Sequence, residues 1–115
     1  MNFPSTNDFL ENFGLEPLEE DPSMAYCRYV KMAPAEELEV DISFSAVADS
    51  FQAVLRCSRR EVVTLSSEKV RSIKIQNDAL GSGVHVVFDI HGVTSEALVK
   101  LEPELNIRWW TLRSE

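Results

Sequence analysis

Glu37 to Ala46, ELEVDISFSA, decides the fold. Leu38, Val40, Ile42, Phe44 and Ala46 alternate with Glu39, Asp41, Ser43 and Ser45. That period of two puts the apolar set on one face of an extended chain, and a helix of 3.6 residues per turn cannot satisfy it. The segment is a strand with one face in a core. The stretch after it, Phe51 to Cys57 (FQAVLRC), follows an Ala48-Asp49-Ser50 turn and reads as its hairpin partner.

The same reading extends outward in both directions. Upstream, Ala25 to Lys31 (AYCRYVK) forms a first strand that Pro34 ends, and Leu15 to Ser23 (LEPLEEDPS), with two prolines and four acids, is a loop. Downstream, Glu61 to Leu65 and Lys69 to Gln76 are strands, and Asn77 to Gly83 (NDALGSG) concentrates turn formers into a flexible connection. Val84 to Ile90, Thr94 to Leu101 and Asn106 to Leu112 complete the set, separated by His91-Gly92 and by Glu102-Pro103-Glu104. Residues 5–13 (STNDFLENF) are a short helix with a capping Ser5, Thr6 or Asn7 and with Gly14 at its end, its Phe9, Leu10 and Phe13 held on one face.

The expected fold is therefore mainly β, of the α+β class. It is an antiparallel sheet, sandwich or partly closed barrel of about seven or eight strands with an N-terminal helix across one end. The expected core holds Phe9, Val40, Ile42, Phe44, Leu55, Ile75, Val86, Phe88 and Leu101. At 115 residues the chain has the usual size of one domain, so residues 1–115 are read as a single unit.

Composition excludes several classes of function. Apolar residues make up 44% and charged residues 26%, which is ordinary for a folded domain and too apolar for disorder. No apolar run approaches the roughly 20 residues of a membrane span. The opening MNFPSTNDFLENF has acids where a signal peptide is apolar, so a cytoplasmic location is expected. Cys27 and Cys57, 30 residues apart in strands, read as small buried hydrophobes.

No catalytic constellation is visible. Four ungrouped glycines exclude the common phosphate-cradling loops, and no serine or cysteine stands in a nucleophile motif. His85, Asp89 and His91 share a face of one strand, but roughly 20 Å separates the two histidines, too far for one ion. Arg56, Arg59, Arg60, Lys69, Arg71 and Lys74 read as edge-strand charges that block aggregation rather than as a nucleic-acid stripe. The expectation is a non-enzymatic protein with no cofactor, no metal, no small-molecule substrate, no nucleic acid and no membrane partner.

Charge is unevenly spread. Residues 1–50 hold eleven acids against two bases, a net of −9, whereas residues 51–115 hold eight acids against nine bases, a net of +1. An acidic field of this kind draws basic surfaces and speeds their association. The candidate partner-binding residues are therefore Glu16, Glu19, Glu20, Asp21, Glu36, Glu37, Glu39 and Asp41. Trp110 joins them as an aromatic anchor, because Trp109 and Trp110 are adjacent in a strand and must face opposite sides.

Five stretches carry a family resemblance: DFLENFGLEP at 8–17, LEVDISFSA at 38–46, VRSIKI at 70–75, VHVVFDI at 84–90 and LEPELNIRWWTL at 101–112. With them the chain resembles the small bacterial immunity proteins encoded beside contact-dependent growth inhibition and other polymorphic toxins. The resemblance implies a cytoplasmic inhibitor, not an enzyme. It would bind a cognate toxin domain tightly, commonly covering the active site of a nuclease, whose basic surface would suit the acidic half of the chain. The competing readings are an adaptor or structural β domain of a larger bacterial assembly, and a barrel with an apolar interior lined by Phe44, Phe51 and Phe88.

Overall fold

The computed structural model describes residues 3–33 and 37–112; Pro34 and Glu36 lie outside them. The helix α1 spans Thr6–Phe13. Nine strands follow among the described residues: β1 (Glu19–Asp21), β2 (Tyr26–Met32), β3 (Leu38–Ser45), β4 (Ser50–Cys57), β5 (Arg60–Ser67), β6 (Val70–Asp78), β7 (Gly81–Ile90), β8 (Val93–Glu102) and β9 (Asn106–Leu112). They form two antiparallel sheets, ordered β1-β2-β3-β4-β5 and β6-β7-β8-β9.

The sandwich follows from the alternation that opened the reading. Tyr29, Ile42, Ala53 and Leu65 stand opposite one another across four strands of the first sheet and all face inward. On the second, Val84 pairs with Val99 and Val86 with Ala97, Phe88 and Leu101 are buried with them, and one continuous core cluster joins both inner faces. Among the described residues no strand pairing joins the two sheets, so the barrel alternative does not hold. Phe44, Phe51 and Phe88 fill this core at 4%, 2% and 1% exposure, where a ligand-binding barrel would leave space. Of the expected core, Leu55 and Ile75 are only partly buried and pack against its margin.

Helix α1 closes one side of the sandwich. The Ser5 hydroxyl accepts from the Asp8 N–H at 3.1 Å and the Asp8 carboxylate accepts from the Ser5 N–H at 2.8 Å, which satisfies two of the helix's free donors reciprocally. The Ser5 N–H first, and then the Ser5 side chain, hold the Asp8 carboxyl below the usual carboxylate range. Gly14 ends the helix at φ 66°, a left-handed conformation that suits a residue without Cβ. Phe9 is fully buried and stacks on Tyr29 with ring centroids 3.9 Å apart. Leu10, expected on the same face, points out instead at 47% exposure, because one residue along a helix turns about 100°.

The strand count exceeds the expectation by β1. Its residues are all exposed, so no hydrophobic pattern announces it, and only its pairing of Glu19, Glu20 and Asp21 with Arg28, Cys27 and Tyr26 makes it a strand. Pro22–Met24 then form a single 3-10 turn capped by Asp21, whose Oδ1 accepts from the Ser23 N–H at 3.1 Å and from its hydroxyl at 2.7 Å.

The Asn77 to Gly83 stretch is likewise no flexible connection. β6 runs to Asp78 and β7 starts at Gly81, so only Ala79 and Leu80 lie outside strands. The glycines are required by proximity. A Cβ on Gly83 would lie 2.3 Å from the Val99 carbonyl oxygen, and one on Gly81, at φ 146°, would lie 2.2 Å from that of Glu102. Among the described residues no helix is long and apolar enough to cross a membrane.

Candidate partner-binding site

The outer face of the five-stranded sheet carries the chemistry that the acid-rich half of the sequence foreshadows. Glu19 lies opposite Arg28, Asp41 lies between Val30 and Val54, and Glu39 lies opposite Arg56. Antiparallel register sends all these side chains away from the core. Arg28 donates Nε and Nη2 to the two oxygens of Asp41 at 2.9 and 2.8 Å, and its Nη1 pairs with Glu19. Arg56 donates Nη1 to Glu39 at 2.7 Å, and the same nitrogen forms an ion pair with Asp41 at 3.0 Å. The result is a ladder of alternating charge, Glu19–Arg28–Asp41–Arg56–Glu39, across β1 to β4.

Asp41 is its hinge. The residue is only 6% exposed, walled by Val30, Val54 and the stems of the two arginines. Burial alone would raise its pKa, but the hydrogen bonds from Arg28 and Arg56 outweigh it and hold the carboxyl below the usual range. Hydrogen bonds to Asp41 and then Glu19 raise the pKa of Arg28, and bonds to Glu39 and then Asp41 raise that of Arg56. These contacts favour the charged forms of Asp41 and the two arginines.

The structure divides the candidate residues into groups. Glu19, Glu39 and Asp41 come together through the arginines. Asp41 itself is corrected from an exposed acid to a buried one, its oxygens already taken by Arg28 and Arg56. Glu20 alternates to the other side of β1, opposite Cys27, and Asp21 folds back on the 3-10 turn. Glu16 and Glu37 are exposed in loops, and Glu36 falls outside the described residues. Trp110 stands apart from the acids, because β9 belongs to the other sheet.

Trp110 sits on the outer face of the four-stranded sheet and is half-buried there. Its Nε1 donates to Glu96 Oε2 at 3.1 Å, while His85 Nε2 meets Glu96 Oε1 at 2.7 Å and the imidazole stacks on the indole at 6.4 Å. Trp109, on the inner side, is the exposed member at 53%. It lines an apolar trough with Leu55, Val63, Leu65, Leu105 and Ile107, on the side of the sandwich where edge strands β5 and β9 meet.

Other expectations need correction in the same terms. Cys57 is exposed and Cys27 is partly buried, so neither is a fully buried hydrophobe. His91 does not share a strand face with His85 but occupies a two-residue turn with Gly92, at φ 50°. Arg56 is not an edge-strand charge, since β4 is interior to its sheet. Among the described residues no three His, Cys, Asp or Glu side chains group as metal ligands.

Sequence reading finds Arg56 only as an edge-strand charge and does not find Arg28 at all. The partner of Arg56 is within reach: the Ala46–Asp49 connection sets the hairpin register, and counting back from it brings Arg56 opposite Glu39. No such count finds the bond from Arg28 to Asp41, which spans 13 residues and runs diagonally between strands.

No family model matches the sequence, and no curated protein does. Among solved structures the chain is similar to one in the contact-dependent growth inhibition toxin–immunity protein complex from Klebsiella pneumoniae 342. The two are 24% identical, with a TM-score of 0.88 over 96% of each chain, so this protein has the fold of that chain.

Proposed function

We propose that this protein is an immunity protein that binds a cognate toxin domain and neutralises it in the cytoplasm. The observation that carries the reading is the shared fold, end to end, with a chain of a toxin–immunity complex. Its charge points to the inhibitor rather than the toxin of such a pair. A net charge of −8, concentrated in the first 50 residues, suits a protein that masks a basic surface such as the active site of a nuclease. It does not suit a protein that must itself approach nucleic acid.

In this reading Glu16, Glu19, Glu20, Asp21, Glu37 and Glu39 present the carboxylates that meet the toxin, and Asp41 holds Arg28 and Arg56 in place behind them. The protein performs no reaction; its work is occupancy. The test is expression in a bacterium, alone and together with the toxin domain encoded beside its gene. Expected are normal growth alone, arrest by the toxin domain, rescue by co-expression and a stable one-to-one complex. Growth arrest by this chain alone would make it the toxin, and absence of both complex and rescue would end the immunity reading.

A further inference from the structure

A recess of about 550 Å³ opens beside the charge ladder, near the end of the five-stranded sheet that carries the β3–β4 turn. Tyr26, Ser43, Ser50, Gln52, Ser66 and Glu68 line it. The sheet dips here because short side chains are grouped: Ser43 and Ser66 flank Gln52 in one row across β3, β4 and β5, and Ser50 lies in the next row along. Arg28 of the ladder heads the same row, opposite Ser43, so the recess and the ladder belong to one surface.

Beside Phe44 and Phe51, the polar part of the lining offers oxygen acceptors and no cation. Gln52 Nε2 donates to the Ser66 hydroxyl at 3.0 Å, which fixes the amide and leaves its carbonyl oxygen to accept. Ser67 also borders the recess, but it alternates with Ser66 and stands opposite the inward-facing Phe51. Glu68 contributes the one charge, and the Tyr26 ring offers a face that attracts cations.

We propose that this recess seats a basic side chain, an arginine or lysine, of the protein partner. The inference rests on the immunity reading and adds to it a specific contact, centred on Glu68, outside the acid-rich half that steers the approach. An arginine's donors fit a ring of carboxylate, amide and hydroxyl oxygens, and the recess opens on the sheet face without closing over, as a seat for a protruding side chain must.

The experiment measures affinity between the toxin domain encoded beside the gene and four forms of the full chain: wild type, Glu68→Lys, Ser66→Phe and Glu104→Lys. Glu68→Lys reverses the seat's charge and Ser66→Phe fills it. Glu104→Lys makes the same charge change at an exposed acid in the turn between β8 and β9, away from the recess. Expected is about a 100-fold loss for Glu68→Lys and at least about 10-fold for Ser66→Phe, with Glu104→Lys within about 3-fold of wild type. Melting curves identify any variant that fails to fold, and the other seat variant then decides. Equal losses in the two charge reversals would reduce the effect to net charge and overturn the seat. So would full affinity in a folded seat variant while wild type binds. Failure of wild type itself to bind or protect would instead remove the immunity reading on which the seat depends.

Discussion

Arg28 grips Asp41 side-on, its Nε and Nη2 donating to the two carboxylate oxygens at 2.9 and 2.8 Å from the neighbouring strand. Two parallel charge-assisted bonds of this kind fix both partners in position as well as in charge. The grip turns an acid that the alternating pattern of β3 marks as solvent-facing into the organising centre of a sheet surface.

Loss of that centre should lower stability and flatten its pH dependence. Asp41→Asn keeps the shape but removes the charge, leaving Arg28 and Arg56 to be resolvated. Both arginine side chains are about a quarter exposed, which reduces the penalty to about 1–2 kcal/mol. Because the folded pKa of Asp41 is depressed, its contribution is fully present above the unfolded carboxylate value of about 3.9. It is lost as pH falls through the folded value. Urea melts at pH 7 and pH 3 check this: the wild type should lose more stability over that interval than Asp41→Asn.

Helix α1 should depend on one aromatic stack. Phe9 is fully buried against Tyr29 and Phe44, and removing it empties the contact between helix and sheet. Phe9→Ala should cost about 3–5 kcal/mol, while Leu10→Ala, one position away and exposed, should change stability by less than about 0.5 kcal/mol. Thermal melts of the two variants read the difference directly.

The β4–β5 turn should be improvable. Ser58 and Arg59 join Cys57 to Arg60 with φ of 51° and 68°, the left-handed pair of a type I′ turn, occupied here by residues that pay a steric cost. Replacing them by Asn and Gly supplies the residues this turn favours. The double variant should gain about 1 kcal/mol, measured by chemical denaturation, and a loss would contradict the turn assignment.

Charge reversal on β1 should act on association with the toxin domain. With Glu19, Glu20 and Asp21 all changed to Lys, the association rate should drop by about tenfold or more at low salt, and the difference from wild type should shrink as salt is added. Stopped-flow mixing at two ionic strengths measures both. An association rate for wild type that is indifferent to salt would move the recognition from the acids to an aromatic surface, of which Trp109, at 53% exposure, is the accessible residue.

By itself the sequence determined the elements wherever burial on one face imposed a period. β3 reads out of Leu38, Val40, Ile42 and Phe44, β7 out of Val84, Val86 and Phe88, and α1 out of Ser5, Phe9, Phe13 and Gly14. In each, local geometry and one hydrophobic face leave a single solution. It also set the charge imbalance and the opposite facing of Trp109 and Trp110. Tertiary structure alone decided the rest. β1 has no apolar pattern and exists because β2 offers it an edge. Asp41 is buried on the outer face because arginines from two neighbouring strands lie over it. Glu68 and Ser66 reach the same recess as Tyr26, some 40 residues away, only because the first sheet runs from β2 across to β5. Period and propensity are local properties of the chain, whereas register between distant strands is fixed by the packing of the whole sandwich, and the partner-binding surface is built from register.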